Sequence, residues 1–211
     1  GRLSSASPNW TNQPRLPGVR ECVEARPGYV FISSDFSSQE MRAWAQVCLT
    51  IVGWSNLAER FKQDPDFDPH IAMAANSLLR ISEEDALARL RAGDEEVEKA
   101  RQSSKIANFG LPGCMGVQGL MAYARGYGQF WDENYAGSIR RGWQETWGEQ
   151  KGYFYHVKSL RGVESHAARM VQLYSGRWRG GVGVTQASNG YFQGLASEAS
   201  KSALCEVCRR A

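Results

Sequence analysis

The sequence predicts an α+β fold, and three observations carry that prediction. Tyr29-Val30-Phe31-Ile32 is an aromatic and β-branched run of the kind found in buried strands. From Gln39 to about Trp147 the apolar residues recur at helical spacing, interrupted by short breaks. Residues 151–188 are rich in Gly, basic and aromatic residues, which reads as strands and loops, and a helical pattern returns from Leu195 to Arg210.

Each element has a local reason. Residues 1–28 are rich in Ser, Pro, Asn and Arg and read as an extended approach, closed by the turn signal Pro27-Gly28. The predicted strand runs into Ser33-Ser34-Asp35. From Gln39 to Ile51, Met41, Trp44, Ala45, Cys48 and Leu49 share one helical face. Leu57–Phe61 continues as helix until Asp64-Pro65-Asp66-Phe67-Asp68-Pro69 breaks it. Ile71–Leu79 is helical again, and Ser82-Glu83-Glu84-Asp85 has the cap and acidic first turn of another helix. A further helix runs from about Asp94 to Leu111, where Pro112-Gly113 ends it. Gly116–Trp147 holds two more. In the tail, Leu195, Ala199, Ala203 and Val207 have helical spacing.

Composition narrows the class. The chain has 211 residues, enough for one good core or two modest ones. No stretch approaches the roughly 20 apolar residues of a membrane span, and no signal peptide opens it, so a cytosolic location with no membrane partner is expected. The five cysteines have no framework spacing, and reduced thiols are expected. Cys205-x-x-Cys208 lacks the second pair that a structural zinc site needs. Asn9-Trp10-Thr11 matches a glycosylation sequon that secretion alone would use. The net charge of +3 says little about partners. Clustering says more: Arg125, Arg140, Arg141, Lys151, Lys158, Arg161, Arg169, Arg177 and Arg179 are interleaved with Trp, Tyr and Phe. That mixture suits stacked bases and phosphates, and equally a solvated face over an aromatic core.

Two features carry candidate chemistry. Arg101, Lys105 and Phe109 recur every four residues and fall on one face of their helix. Two cations and a ring in a row can grip a triphosphate and stack on a base. The same spacing also fits solvated cations beside a core Phe. Asp35, at the end of the predicted strand, is placed to hold a metal, with a neighbouring backbone carbonyl free to join it. Two-metal phosphoryl transfer needs at least two carboxylates around ions about 4 Å apart. Asp64, Asp66, Asp68 and His70 form a second acidic cluster, although its prolines also fit a turn.

Taken together these elements resemble a family. Asp35-Phe36-Ser37-Ser38-Gln39-Glu40-Met41-Arg42 resembles the first catalytic motif of A-family, DNA polymerase I-like DNA polymerases. Arg101-Gln-Ser-Ser-Lys105-Ile-Ala-Asn108-Phe109-Gly110 resembles that family's fingers-helix motif, and Asp68-Pro69-His70 its Asp-x-His element. Gly1-Arg2-Leu3-Ser4-Ser5 and Pro8-Asn9-Trp10-Thr11-Asn12 resemble its duplex-contact segment. Asn189-Gly-Tyr-Phe-Gln193-Gly194-Leu-Ala-Ser resembles the start of its palm helix. Five elements in the family's order span essentially the whole chain.

The resemblance implies a partial palm over 1–66, a mainly helical fingers region over 67–170 and a return to the palm over 171–211. It implies DNA synthesis from deoxynucleoside triphosphates on a template–primer, with magnesium as cofactor. Asp35, with the carbonyl of Phe36, would bind the metal ions, and Asp35 and Lys105 would be catalytic. His70, Arg101 and Lys105 would hold the incoming nucleotide's triphosphate, Phe109 would pack on its sugar and base, and Glu40 would exclude a ribose 2′-hydroxyl. Arg2, Asn9, Asn12, Asn189 and Gln193 would contact the duplex, mostly away from base-specific edges.

Three departures stand beside the resemblance. Ser38 replaces the family's usual Gln. Gly113 stands where the family usually has Tyr, in a Leu-Pro-Gly variant closer to phage enzymes. No His-Asp-Glu tripeptide, the family's second acidic motif, occurs in the 211 residues. The resemblance therefore implies that the second carboxylate and the thumb come from outside this sequence, in the same parent chain or another subunit, and that this chain alone is nearly inactive. Two rival readings are a non-catalytic nucleic-acid-binding remnant and part of a single-subunit RNA polymerase. Retained Asp35, Glu40, Arg101 and Lys105 speak against the first, and Glu40 against the second.

Overall fold

A computed structural model describes residues 6–7, 18–19, 21–160 and 169–210. The chain divides into two compact units, Gly1–Ser37 and Ser38–Ala211.

In the first unit, Pro27 and Gly28 form the predicted turn. The Tyr29 N–H donates to the Arg26 carbonyl at 2.9 Å, and Gly28 takes φ +81°, the conformation a type II turn demands at its third position. The Arg26 guanidinium lies 4.8 Å from the Tyr29 ring centre. The expected buried strand over Tyr29–Ile32 is not formed. These residues make no ladder, and Val30 and Ile32 are 83% and 90% exposed. A strand needs a hydrogen-bonded neighbour, and none is found among the described residues.

The second unit is helix-rich. Helix α1 (Gln39–Val52) ends at Gly53 in the left-handed conformation, which closes its last turn. Helix α2 (Asn56–Gln63) is capped by Ser55, whose hydroxyl accepts from the Ala58 N–H. The buried Glu149 reinforces that start: its Oε1 accepts from Ser55 Oγ at 2.8 Å and from the Leu57 N–H at 3.0 Å. Helix α3 (Pro69–Met73) has Asp68 as N-cap and Pro at its first position. It runs into a π-helical turn, Ala74–Leu79, where a plain helix was expected. Helix α4 (Glu83–Arg91) is capped by Ser82 and helix α5 (Glu95–Gly110) by Asp94, as their sequences predict. A single 3₁₀ turn, Leu111–Gly113, ends α5. Helices α6 (Val117–Arg125) and α7 (Glu133–Thr146) follow.

Helix α8 (Gln150–Ser159) corrects the expected strands and loops at that point. Its glycine is there for close approach: a Cβ on Gly152 would lie 2.6 Å from Val52 of α1. Tyr153 and Val157, one turn apart, bury against the core. Strands β1 (Arg169–Val171) and β2 (Trp178–Gly180) then form an antiparallel pair, with Met170 opposite Arg179. Helix α9 (Val184–Arg210) begins well before the predicted tail helix. Its buried face is also different: Tyr191, Phe192 and Ala196 are buried, whereas Val207 is 64% exposed. The fold is therefore mixed α and β in content, with one two-stranded sheet among the described residues.

The main core joins α1 to α7, α8 and α9. Trp44 is fully buried, 5.4 Å from the Trp143 ring and edge-on to Tyr153 at 6.2 Å. A smaller cluster of Ile71, Ala75, Ala86 and Val97 ties α3 and its π turn to α4 and α5. That second cluster holds the two helices that carry the candidate site. No helix among the described residues is long and apolar enough to cross a membrane.

Candidate nucleotide site on helices α3 and α5

Buried Ser103, Ser104, Ile106, Ala107 and Asn108 turn one side of α5 inward. Arg101, Lys105 and Phe109 are left half-buried along one edge, as their four-residue spacing requires. Facing them is the start of α3. Proline at the first helical position and Asp68 before it fix that start: Asp68 Oδ1 accepts from the N–H groups of His70 and Ile71 at 2.8 and 3.3 Å. This leaves Oδ2 for Arg101, whose Nε donates to it at 2.9 Å and whose Nη2 completes the ion pair at 2.9 Å. Burial alone would raise the Asp68 carboxyl; the charge interactions with His70 and then Arg101, the Arg101 hydrogen bond and the His70 N–H outweigh that and hold it below the usual carboxylate range.

His70 is 5% exposed, and its ring meets Phe109 edge-on at 5.4 Å. Burial, with Arg101 and Lys105 adding to it and Asp68 opposing, brings the imidazole down to about 4, so it is neutral at physiological pH. Asn108, 1% exposed, sits behind the ring. Its Nδ2 lies 2.9 Å from His70 Nδ1 and 3.2 Å from the Pro69 carbonyl, while its Oδ1 accepts from Trp147 Nε1 at 3.0 Å. Lys105 has no ion-pair or hydrogen-bond partner among the described residues. The arrangement is a half-open edge with two cations, a neutral imidazole and an aromatic ring, braced from behind by Asp68, Asn108 and Trp147. Such an edge can receive a polyanion joined to a flat, partly apolar group.

The other predicted residues have these positions. Asp35 and Phe36 belong to the first unit and are exposed. Glu40 is half-buried in the first turn of α1. Arg42 of the same motif packs its guanidinium 4.2 Å from the Phe61 ring and donates to the Pro65 carbonyl, which ties α1 to the turn before α3. Asn189 and Gln193 lie one turn apart on α9, both half-buried. The amide of Asn189 fills the space beside Gly113, where a Cβ would stand 2.9 Å from its Oδ1. The neighbouring Ser188 Oγ donates to the Pro112 carbonyl at 2.6 Å. Arg2, Asn9 and Asn12 lie outside the described residues. Among the described residues no group of three His, Cys, Asp or Glu side chains is close enough to hold a metal.

The sequence offers Asp68 only as part of an acidic cluster and an Asp-x-His element, not as cap and ion-pair partner, and gives Asn108 and Trp147 no role. The Asp-Pro pair that opens α3 was the available signal for Asp68. Nothing local marks Trp147 as a partner of Asn108, because their contact is made by the packing of α7 against α5. Compared with known proteins, the chain matches no family model and no curated sequence.

Proposed function

We infer that the chain takes part in template-directed DNA synthesis, as the nucleotide-binding portion of an A-family-like DNA polymerase. The supporting observation is the meeting of Asp68 and His70 with Arg101, Lys105 and Phe109, residues from two motifs that the sequence separates. In this reading Lys105 and Arg101 bind the triphosphate of a deoxynucleotide, and Phe109 lies against its sugar and base. Glu40 limits the sugar to the deoxy form. Asn189 and Gln193, with Arg2, Asn9 and Asn12, hold a template–primer through its backbone. Asp35 is a hard oxygen donor of the kind magnesium prefers, and the reading requires the second carboxylate of a His-Asp-Glu motif, which does not occur in these 211 residues. Bound magnesium would supply charge stabilisation for the transferring phosphate.

The test is nucleotide binding by the chain and its Lys105→Ala variant, read by fluorescence with a labelled deoxynucleoside triphosphate and magnesium. Loss of a charge-assisted contact costs about 2 kcal/mol, so affinity is expected to fall roughly 10- to 100-fold. Equal binding by parent and variant would remove Lys105 from the site and the central support for this reading.

A further inference from the structure

Hydrogen-bond accounting around Asn108 fixes a property of the site that its sequence does not state. The Trp147 indole can only donate, so the Asn108 atom facing it must be the carbonyl oxygen. The Pro69 carbonyl can only accept, so the atom facing it must be the amide nitrogen. Two independent partners thus give the same orientation of the amide, and flipping it would break both buried bonds. The second amide proton then points at His70 Nδ1, 2.9 Å away. That ring nitrogen has to accept, which puts the proton of the neutral ring on Nε2. Nε2 has no hydrogen-bond partner among the described residues and is not one of their buried unpartnered atoms, so its proton is open to a ligand. An added proton on Nδ1 would confront the amide N–H, and Arg101 and Lys105 also oppose it.

We propose that Asn108, pinned by Trp147 and the Pro69 carbonyl, is a positioning residue that holds His70 as its neutral Nε2–H tautomer, so that the ring offers a hydrogen-bond donor to a phosphate oxygen bound beside Arg101 and Lys105. The phosphate half of this statement rests on the nucleotide reading above; the tautomer half does not. The role fits the setting. A third full charge beside two cations would be costly in the absence of ligand, whereas a neutral donor adds a directed bond without that repulsion.

Long-range proton–nitrogen correlation spectra of the ¹⁵N-histidine-labelled chain read the tautomer directly, with His70→Gln assigning the signal. A protonated Nε2 and a bare Nδ1 are expected at neutral pH. An Nδ1–H ring, an imidazolium or an averaged signal overturns the proposal. Asn108→Leu should convert the fixed tautomer to an averaged one. Asn108→Ala removes the amide without adding a branched side chain and should do the same if Asn108→Leu fails to fold. Persistence of a fixed Nε2–H ring in a folded variant would remove Asn108 from the role.

Calorimetry with magnesium tripolyphosphate tests the ligand half. His70→Gln keeps a neutral donor near the Nε2 position and should bind within about threefold of the parent, whereas His70→Leu should bind roughly tenfold or more weakly. Equal binding by His70→Leu overturns the donor role. No binding by the parent, with the Nε2–H tautomer intact, overturns the phosphate half and the nucleotide reading, and leaves the tautomer assignment standing.

Discussion

Helix α5 and the run Tyr29–Ile32 are both patterned for burial, and they reach opposite conditions. Helix α5 closes its backbone hydrogen bonds within itself, is capped by Asp94, and presses one side into the core. Tyr29–Ile32 is extended and exposed, without a ladder partner among the described residues. A helix completes its own polar backbone, so a modest contact surface fixes it. An isolated strand leaves its peptide groups without chain partners on both edges until another strand arrives. Local patterning is therefore enough to specify the first and not the second.

The largest expected effect that would sharpen this contrast is on stability. Trp44→Ala empties a fully buried site beside Trp143 and should cost about 3–5 kcal/mol in denaturant unfolding. Ile32→Ser should change the same measurement by less than about 0.5 kcal/mol. A large loss for Ile32→Ser would mean that the run is packed in solution, and the contrast would fail.

A second expectation concerns pH. His70 takes up protons less readily in the folded chain than in the unfolded one, so the unfolded state binds more protons between about pH 6.5 and 4. Stability is present in full above that window and is lost as pH falls through it, by roughly 3 kcal/mol at most. Asp68, Arg101 and Lys105 act on the ring in the same cluster, and the lowered Asp68 carboxyl adds a further loss at still lower pH. Unfolding titrations of the parent and His70→Gln should differ in slope across this window. Parallel curves would remove His70 as the source.

Asp68→Ala should cost about 2 kcal/mol, because it removes both the cap of α3 and the partner of Arg101. The smallest stability effect is expected at Asp35→Asn, an exposed change, which should leave unfolding within about 0.5 kcal/mol of the parent. In the completed polymerase of the proposed reading it should abolish primer extension while duplex affinity at fixed salt is kept.

The elements that the sequence makes legible are those with local causes. Ser82 and Asp94 announce α4 and α5 as caps, and Pro112 ends α5. Arg101, Lys105 and Phe109 share an edge because helix geometry allows nothing else. The illegible parts depend on distant neighbours. Gly152 looks like a loop residue until α1 lies against it. Asn108 is an ordinary helical polar residue until Trp147 arrives behind it. The first turns of α9 are likewise anchored by a tertiary contact, Ser188 Oγ on the Pro112 carbonyl.

Gly113 has a consequence of this tertiary kind. In the family that the chain resembles, a tyrosine usually stands at that place. In the fold the space beside Gly113 holds the Asn189 amide, so positions 113 and 189 share one space. They are tenants of a single room: any side chain that enters at 113 evicts the amide at 189. Substitutions at the two positions should therefore be tolerated together and penalised apart, with the volume at one setting the allowed size at the other.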